Sequence, residues 1–158
     1  INDKKYLELI EIELSFLKNN WPTDIPKGVI HADVFQDNVF FKNNNFSGLI
    51  DFYFACNDYF AYDIALTINA WCFNKNQIFK KNLFQSFLEG YEEIRKLENK
   101  EKNHLNTLLR GAAIRILLTR LYDILNHDEK AYVEPKNPDE YLTILKFHTT
   151  TNIVKSLS

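Results

Sequence analysis

Three polar side chains in the first third of the chain combine a carboxylate base with two oxygen ligands for a cation. Asp33 lies two residues after His31, Asn38 follows after four more residues, and Asp51 interrupts an apolar run. A carboxylate within hydrogen-bond reach of an alcohol can orient that alcohol and accept its proton, and we predict this role for Asp33. Asn38 and Asp51 offer the hard oxygen ligands that Mg²⁺ prefers. Together these groups suit the transfer of a phosphoryl group from ATP to a hydroxyl.

The segment between the two predicted metal ligands favours a β-hairpin over residues 38–52. Apolar residues follow Asn38, three asparagines at 43–45 give a turn signal, and a second apolar run leads to Asp51. Because antiparallel pairing brings the two ends of a hairpin together, Asn38 and Asp51 are expected at one edge. In the alternative interpretation, Asp33 and Asn38 only form turns and Asp51 only ends a strand.

Two further polar residues are candidates for supporting this loop. We expect His31 to hydrogen-bond the loop backbone and fix Asp33, which is a structural role. Asp63, in the following predicted helix, has the right type to brace the same loop, and a plain capping or surface role is an equal alternative. Asp37 and Asp58 fit cap or turn roles.

The rest of the chain has mainly helical patterns. Apolar residues at helical spacing, including Leu7, Ile10, Leu14 and Leu17, predict a helix over 4–20. A short β-prone stretch at 28–30 leads into His31. Further helices are predicted over 62–73, 77–96, 101–126 and 139–155. The expected fold is mainly α with one small β-hairpin.

Composition excludes several classes of protein. The 158 residues are 46% hydrophobic and 25% charged, with a net charge of −2, so no basic footprint for nucleic acid is present. A nucleic-acid partner is therefore not expected. No apolar run has the length of a membrane span, so a membrane partner is not expected either. Cys56 and Cys72 have no metal-ligand spacing, which fits a reducing, cytoplasmic location.

Three motifs resemble the aminoglycoside phosphotransferase and choline kinase superfamily. They are His31-Ala32-Asp33, where that superfamily usually has His-Gly-Asp, then Ile50-Asp51-Phe52, and Asp63-Ile64-Ala65. Further blocks are similar to the bacterial homoserine kinase family within that superfamily. These blocks are 28–33, 48–58, 69–73, 110–113, 118–123, 135–141 and 147–148.

This resemblance implies a fold, an activity and cofactors. The activity would be ATP- and Mg²⁺-dependent phosphorylation of the L-homoserine hydroxyl to O-phosphohomoserine, the precursor of threonine. The fold would be protein-kinase-like (α+β), with residues 1–158 as its C-terminal catalytic and substrate-binding lobe. Nothing before Gly28 resembles the N-terminal ATP-binding lobe, and the chain begins at Ile1 without Met. We therefore expect that lobe to be absent from this chain, and the isolated chain to be inactive.

Homoserine carries a carboxylate and an ammonium group, and both need counter-charges. Arg115 or Arg120 is the candidate for the carboxylate, because a guanidinium can bond both oxygens. Asp123, Tyr53 or Asn69 is expected nearby. In the alternative, these arginines form structural salt bridges between helices.

Two competing functions remain at this stage. The protein could be another small-molecule kinase of the same superfamily, acting on choline, an aminoglycoside or a methylthio-sugar, for which an acid-rich cavity would be expected. It could also be a non-catalytic helical lobe that serves as a binding module.

Overall fold

The computed structural model describes residues 4–128, 132 and 134–156, without the side chains of Lys5 and Ser156. Within them, five helices and four strands are present. The helices are α1 (Lys4–Asn20), α2 (Phe60–Trp71), α3 (Lys81–Ile94), α4 (Asn99–Leu125) and α5 (Asp139–Thr150). The strands are β1 (Lys27–Ile30), β2 (Val39–Lys42), β3 (Asn45–Leu49) and β4 (Cys56–Tyr59). The mainly α fold with a small β-hairpin is confirmed. None of the described helices is both long and apolar enough to cross a membrane.

Helix α4 is the centre of the core and packs against α1, α2 and α5. Its inward face consists of fully buried side chains, among them Leu105, Leu109, Ala112 and Leu117. A close approach is made at Gly111, where an added Cβ would lie 2.3 Å from the ring of Trp21. A residue with a side chain at 111 would therefore force the connection after α1 away from α4.

The apolar residues that predict α1 face the core only in part: Leu17 is buried and Ile10 is half-buried. Leu7 and Leu14 are about half exposed (52% and 48%), whereas Glu13 is 1% exposed. The reason is a two-point ion pair: Arg110 of α4 donates to both oxygens of Glu13, each at 2.8 Å. The same guanidinium lies 3.3 Å from the ring centroid of Phe16. Satisfying this buried charge turns α1 so that Glu13, and not Leu14, faces the core.

The hairpin forms close to where it was predicted. Asn43 and Asn44 have φ angles of 51° and 61°, the positive values that a two-residue type I′ turn requires. Strands β2 and β3 flank this turn, with an irregularity in register between Phe40 and Phe41. The second strand ends at Leu49, and Asp51 follows in a left-handed conformation (φ 61°, ψ 64°).

Strand β4 was not predicted, because the sequence Cys-Asn-Asp-Tyr has neither alternation nor β-branched residues. It pairs antiparallel with β1, with Ile30 opposite Cys56. This pairing fixes the end of β1, from which the Asp33 loop starts. Asp58 accepts the backbone N–H of Tyr59 at 2.7 Å, so it makes a local turn contact, and the N-cap of α2 is Tyr59.

The largest differences from the predicted helix boundaries are at the start of α3 and at the end of α5. Helix α3 begins at Lys81, because the side chain of Asn74 accepts the backbone N–H groups of Asn76 and Ile78 and holds this segment in a turn. Helix α5 ends at Thr150, and a short 3₁₀ turn, Ile153–Ser156, follows it.

A buried histidine couples the stability of the core to pH. His148 is 1% exposed, and its Nε2 lies 2.8 Å from Oδ1 of Asn69. Nδ1 of His148 has no hydrogen-bond partner among the described residues. Burial, with a further contribution from the charge of Arg110, lowers the pKa of His148 to about 3. The imidazole is therefore neutral in the folded protein over the usual pH range.

We expect the free energy of unfolding to fall as the pH drops below about 6.5, by roughly 1.4 kcal/mol per pH unit from this histidine alone. The unfolded chain binds the proton at the ordinary pKa, whereas the folded chain binds it only near pH 3. Denaturant unfolding of wild-type protein and His148→Gln at pH 7.5 and 5.5 measures the effect. The variant should lose this part of the pH dependence, and the partly exposed His104→Gln should keep it. Equal pH dependence in wild type and His148→Gln would contradict the assignment.

Candidate active site

The loop that carries Asp33 is anchored to helix α2 through its backbone. Asp63, in the first turn of α2, accepts the N–H of His31 at 3.2 Å and the N–H of Ala32 at 2.8 Å. Both loop residues are buried, so these N–H groups have no access to bulk water. One carboxylate thus satisfies two buried donors and holds the loop at the end of β1.

His31 joins the Asp33 loop to the segment that carries Asp51. Its Nδ1 accepts the backbone N–H of Asp33 at 3.2 Å, and its Nε2 lies 2.9 Å from the carbonyl oxygen of Ile50. A neutral imidazole with its proton on Nε2 satisfies both contacts at once. The ring also lies edge-on to Phe52, with centroids 4.6 Å apart. His31 therefore links the segment of the predicted base to that of the predicted metal ligand, and both of its ring nitrogens are engaged by backbone groups.

A second set of contacts fixes the turn itself. Ala32 has a φ of 61°, a left-handed conformation that costs a non-glycine residue about 1–2 kcal/mol. Nη1 of Arg115, from α4, donates to the carbonyl oxygen of Ala32 at 2.8 Å, and Nε1 of Trp71, from α2, donates to that of Val34 at 2.8 Å. The loop is thus held by two helices on either side of Asp33.

The sequence analysis did not identify the contact of Trp71 with the loop. A signal is present, because Trp71 lies eight residues after Asp63 on α2 and therefore on a similar face of the helix. The contact of Arg115 with Ala32 spans 83 residues and has no local signal.

Asn38 is oriented by Asp33. Its Nδ2 donates to the backbone oxygen of Asp33 at 2.8 Å and to Oδ2 of Asp33 at 3.1 Å. Both contacts use the nitrogen, and no hydrogen bond to Oδ1 of Asn38 is present in the described part of the chain. The backbone oxygen of Asn38 accepts the N–H of Ile50 at 3.1 Å, which brings Asp51 to the same end of the hairpin.

Neighbouring groups shift the pKa of Asp33 in opposite directions. Partial burial raises its pKa and is the largest influence; the positive charge of Arg115 and the hydrogen bond from Asn38 lower it, and the negative charge of Asp51 raises it. The net effect is a pKa above the ordinary value for Asp. A carboxylate with a raised pKa is a better proton acceptor near neutral pH than an ordinary one.

The side-chain oxygens of Asn38 and Asp51 are of the chemical type that magnesium prefers. They are a carboxylate and an amide oxygen, and both residues line the cavity that Asp33 lines. In the described residues, no group of three or more His, Cys, Asp or Glu side chains is arranged to hold a metal. Mg²⁺ in phosphoryl-transfer sites is bound by one or two carboxylates together with phosphate oxygens and water, so a small protein ligand set is the expected one.

The cavity in front of these residues has a volume of about 640 Å³ and extends towards the end of α4. Its acidic lining residues outnumber its basic ones. The acids are Asp33, Asp37, Asp51, Asp123, Asp128 and Glu134. The Lys and Arg residues of the lining are Arg120 and Lys136. A cavity of this charge suits a ligand that carries at least one positive group.

Of the five residues predicted to contact a substrate, Arg120 and Asp123 line this cavity and the other three do not. The side chain of Tyr53 is 86% exposed beside Phe54. Asn69 is buried, with its amide bonded to the carbonyl oxygen of Leu109 at 2.9 Å and to His148. The nitrogen and the oxygen of the Asn69 side-chain amide are therefore both engaged by protein groups, and substrate contacts of Tyr53 and Asn69 stay predictions.

The two arginines predicted for the substrate carboxylate are engaged by protein groups. Arg115 bonds Ala32 and lies 5.1 Å from the ring centroid of Phe54. Nη1 of Arg120 bonds both the carbonyl oxygen of Asn137 and, at 2.6 Å, a carboxylate oxygen of Glu140. The structure therefore favours the alternative in which these arginines are structural.

Comparison with known proteins agrees with this geometry. A family model described as "Phosphotransferase enzyme family" matches residues 2–97, which is more than half of the chain. The chain is 54% identical over 139 residues to a homoserine kinase of Parvibaculum lavamentivorans, covering 88% of this chain and 43% of that protein. It is 50% identical over 148 residues to a homoserine kinase of Agrobacterium fabrum, covering 94% and 46%.

A homoserine kinase of Bartonella tribocorum is 47% identical over 154 residues, covering 98% of this chain and 48% of that protein. The chain thus spans less than half the length of the relatives it matches. The family match, together with the site geometry, establishes that the chain belongs to the phosphotransferase enzyme family.

Proposed function

We propose that the protein containing this chain transfers the terminal phosphoryl group of ATP to the hydroxyl of L-homoserine, with Mg²⁺ as the metal. The observation that carries the proposal is that Asp33, Asn38 and Asp51 line a single cavity, with Asn38 hydrogen-bonded to Asp33. The choice of homoserine is supported by relatives with that activity in their names at about 50% identity.

In the proposed reaction, Asp33 is the base. The hydrogen bond from Asn38 to Oδ2 fixes the plane of the carboxylate, and Oδ1 is left to accept the proton of the acceptor hydroxyl. Asp51 and Oδ1 of Asn38 would hold Mg²⁺, which, when bound with the nucleotide, neutralises charge on the phosphate oxygens. The loop that carries these groups is held in position by the side chains of Asp63, His31, Arg115 and Trp71.

The nucleotide side of the site is proposed to be completed by a further, ATP-binding lobe of the same protein. The chain covers 43–48% of the relatives' length. Apolar rings beside the site are also strongly exposed: Phe41 is 58%, Phe46 is 64% and Phe52 is 57% exposed. Such a surface is typical of a face that another part of a protein covers. The isolated 158-residue chain is therefore expected to lack ATP turnover.

The location of the protein is proposed to be a reducing compartment, the cytoplasm. The unpaired thiols of Cys56 and Cys72 support this proposal.

An acceptor panel tests the proposed substrate. We expect the full-length protein with ATP and Mg²⁺ to give a kcat/KM for L-homoserine at least about 100-fold above that for choline, an aminoglycoside or methylthioribose, because only the zwitterion matches a cavity with both charges. The acid-rich lining makes choline the strongest competitor. A kcat/KM for choline that equals or exceeds the value for homoserine would replace the proposed substrate and keep the reaction class.

A further inference from the structure

The proposed acceptor carries a carboxylate next to its ammonium group, and a cavity dominated by acids must supply a cation for it. Among the described residues that line the cavity, Arg120 and Lys136 carry permanent positive charges. The side chain of Arg120 is only 9% exposed, paired with Glu140, and stacked 4.7 Å from the ring centroid of Tyr141. Its guanidinium is therefore part of the wall.

In contrast to Arg120, Lys136 has an exposed side chain with weak contacts. Its side chain is 63% exposed, and its Nζ lies 3.3 Å from Oδ2 of Asp37, whose side chain is 67% exposed. An ion pair between two exposed side chains contributes only about 0.2–1 kcal/mol, so a ligand can replace Asp37 at little cost. Nζ also lies 5.7 Å from the ring centroid of Phe35, and all three residues line the cavity. The ammonium group is thus held at the cavity by contacts that are easily exchanged.

The backbone beside Lys136 is fixed, although its side chain is not. Arg120 binds the carbonyl oxygen of Asn137, the next residue, and prolines at 135 and 138 restrict the backbone on both sides. Buried Arg120 therefore positions the segment from which Lys136 extends. Asp123 lies one helical turn after Arg120 on α4 and lines the same cavity, where its carboxylate can receive an ammonium group.

We propose that Lys136 binds the carboxylate of the amino-acid acceptor, that Asp123 faces its ammonium group, and that Arg120 acts as a positioning residue for Lys136. This inference rests on the proposed function. It replaces the arginines as the source of carboxylate recognition and explains how an acid-rich cavity selects a zwitterion over a simple cation.

The test compares two acceptors that differ only in the carboxylate: L-homoserine and 3-aminopropan-1-ol. The full-length wild-type protein should prefer homoserine by about 100-fold or more in kcat/KM. In Lys136→Gln this preference should fall by at least about tenfold through a higher KM for homoserine. The KM for ATP and the kcat/KM for 3-aminopropan-1-ol should change less than about threefold. Lys136→Arg should retain most of the preference because it keeps the charge.

Lys146→Gln is the matched control, because Lys146 is exposed on α5 and does not line the cavity. It should leave the preference unchanged. An unaltered preference in Lys136→Gln, or an equal loss of activity with both acceptors, would overturn the inference; the second result would assign Lys136 to the phosphoryl group. If the wild-type protein does not phosphorylate homoserine at all, the proposed function itself fails, which is a distinguishable result.

Discussion

Asp33→Asn is expected to lower the kcat of the full-length protein by about 10²–10⁴-fold, with small changes in the KM for ATP and for homoserine. The amide has nearly the same shape as the carboxylate and can still accept the hydrogen bond that Asn38 donates. It cannot take the proton of the acceptor hydroxyl. The loss therefore belongs to the chemical step and not to substrate binding.

The pH profile provides a second measurement of the same role. Because the pKa of Asp33 is raised, wild-type kcat should fall as the pH drops through a value above the ordinary pKa of Asp, when the base becomes protonated. The residual activity of Asp33→Asn should lack this decline. Asp24→Asn is the matched control, since Asp24 is an exposed partner of Lys100 outside the cavity. A variant at position 33 with more than about a tenth of wild-type kcat would exclude general-base catalysis there.

Asp63→Ala is expected to damage both stability and activity. It leaves the buried N–H groups of His31 and Ala32 without an acceptor, and each such group costs about 1–3 kcal/mol. We expect the free energy of unfolding to fall by about 2–4 kcal/mol, measured by denaturant unfolding. The freed loop should also lower kcat by about 10²-fold, because small displacements of a catalytic group have effects of that size.

A milder substitution at position 63 separates the effect on the position of the loop from the effect on stability. Asp63→Asn keeps one oxygen acceptor at the same place, so it should lose about half as much stability as Asp63→Ala and retain more activity. Asp58→Asn is the control on the neighbouring strand, because the side chain of Asp58 accepts a hydrogen bond only from the backbone N–H of Tyr59 among the described residues. If Asp63→Ala matched wild type in kcat and in stability, the carboxylate would not be holding the loop.

The features that the sequence predicted well depend on local rules. The asparagine turn at 43–44 and the apolar runs beside it were enough to predict the hairpin, and closing the hairpin brings Asn38 and Asp51 to one end. Helical periodicity located all five helices to within a few residues. The late start of α3 occurs where the side chain of Asn74 caps a turn and competes with the helix.

The features that were predicted poorly from the sequence depend on how the helices pack against one another. Whether an arginine of α4 faces a ligand or a neighbouring backbone carbonyl depends on packing between segments far apart in sequence, as the contact from Arg115 to Ala32 illustrates. The burial of Asn69 against His148 and the pairing of Arg120 with Glu140 have the same origin. Residue type alone could not distinguish these internal partners from a substrate.

The most direct test of the Asp33 centre is ³¹P NMR of the full-length protein reacting with ATP, Mg²⁺ and L-homoserine. We predict a new phosphomonoester on the side-chain oxygen of homoserine with wild-type protein, and formation at least about 100-fold slower with Asp33→Asn. Release of inorganic phosphate without a phosphomonoester in the wild type, or phosphomonoester formation by Asp33→Asn at the wild-type rate, would contradict the assignment of Asp33 as the base of a homoserine phosphotransferase.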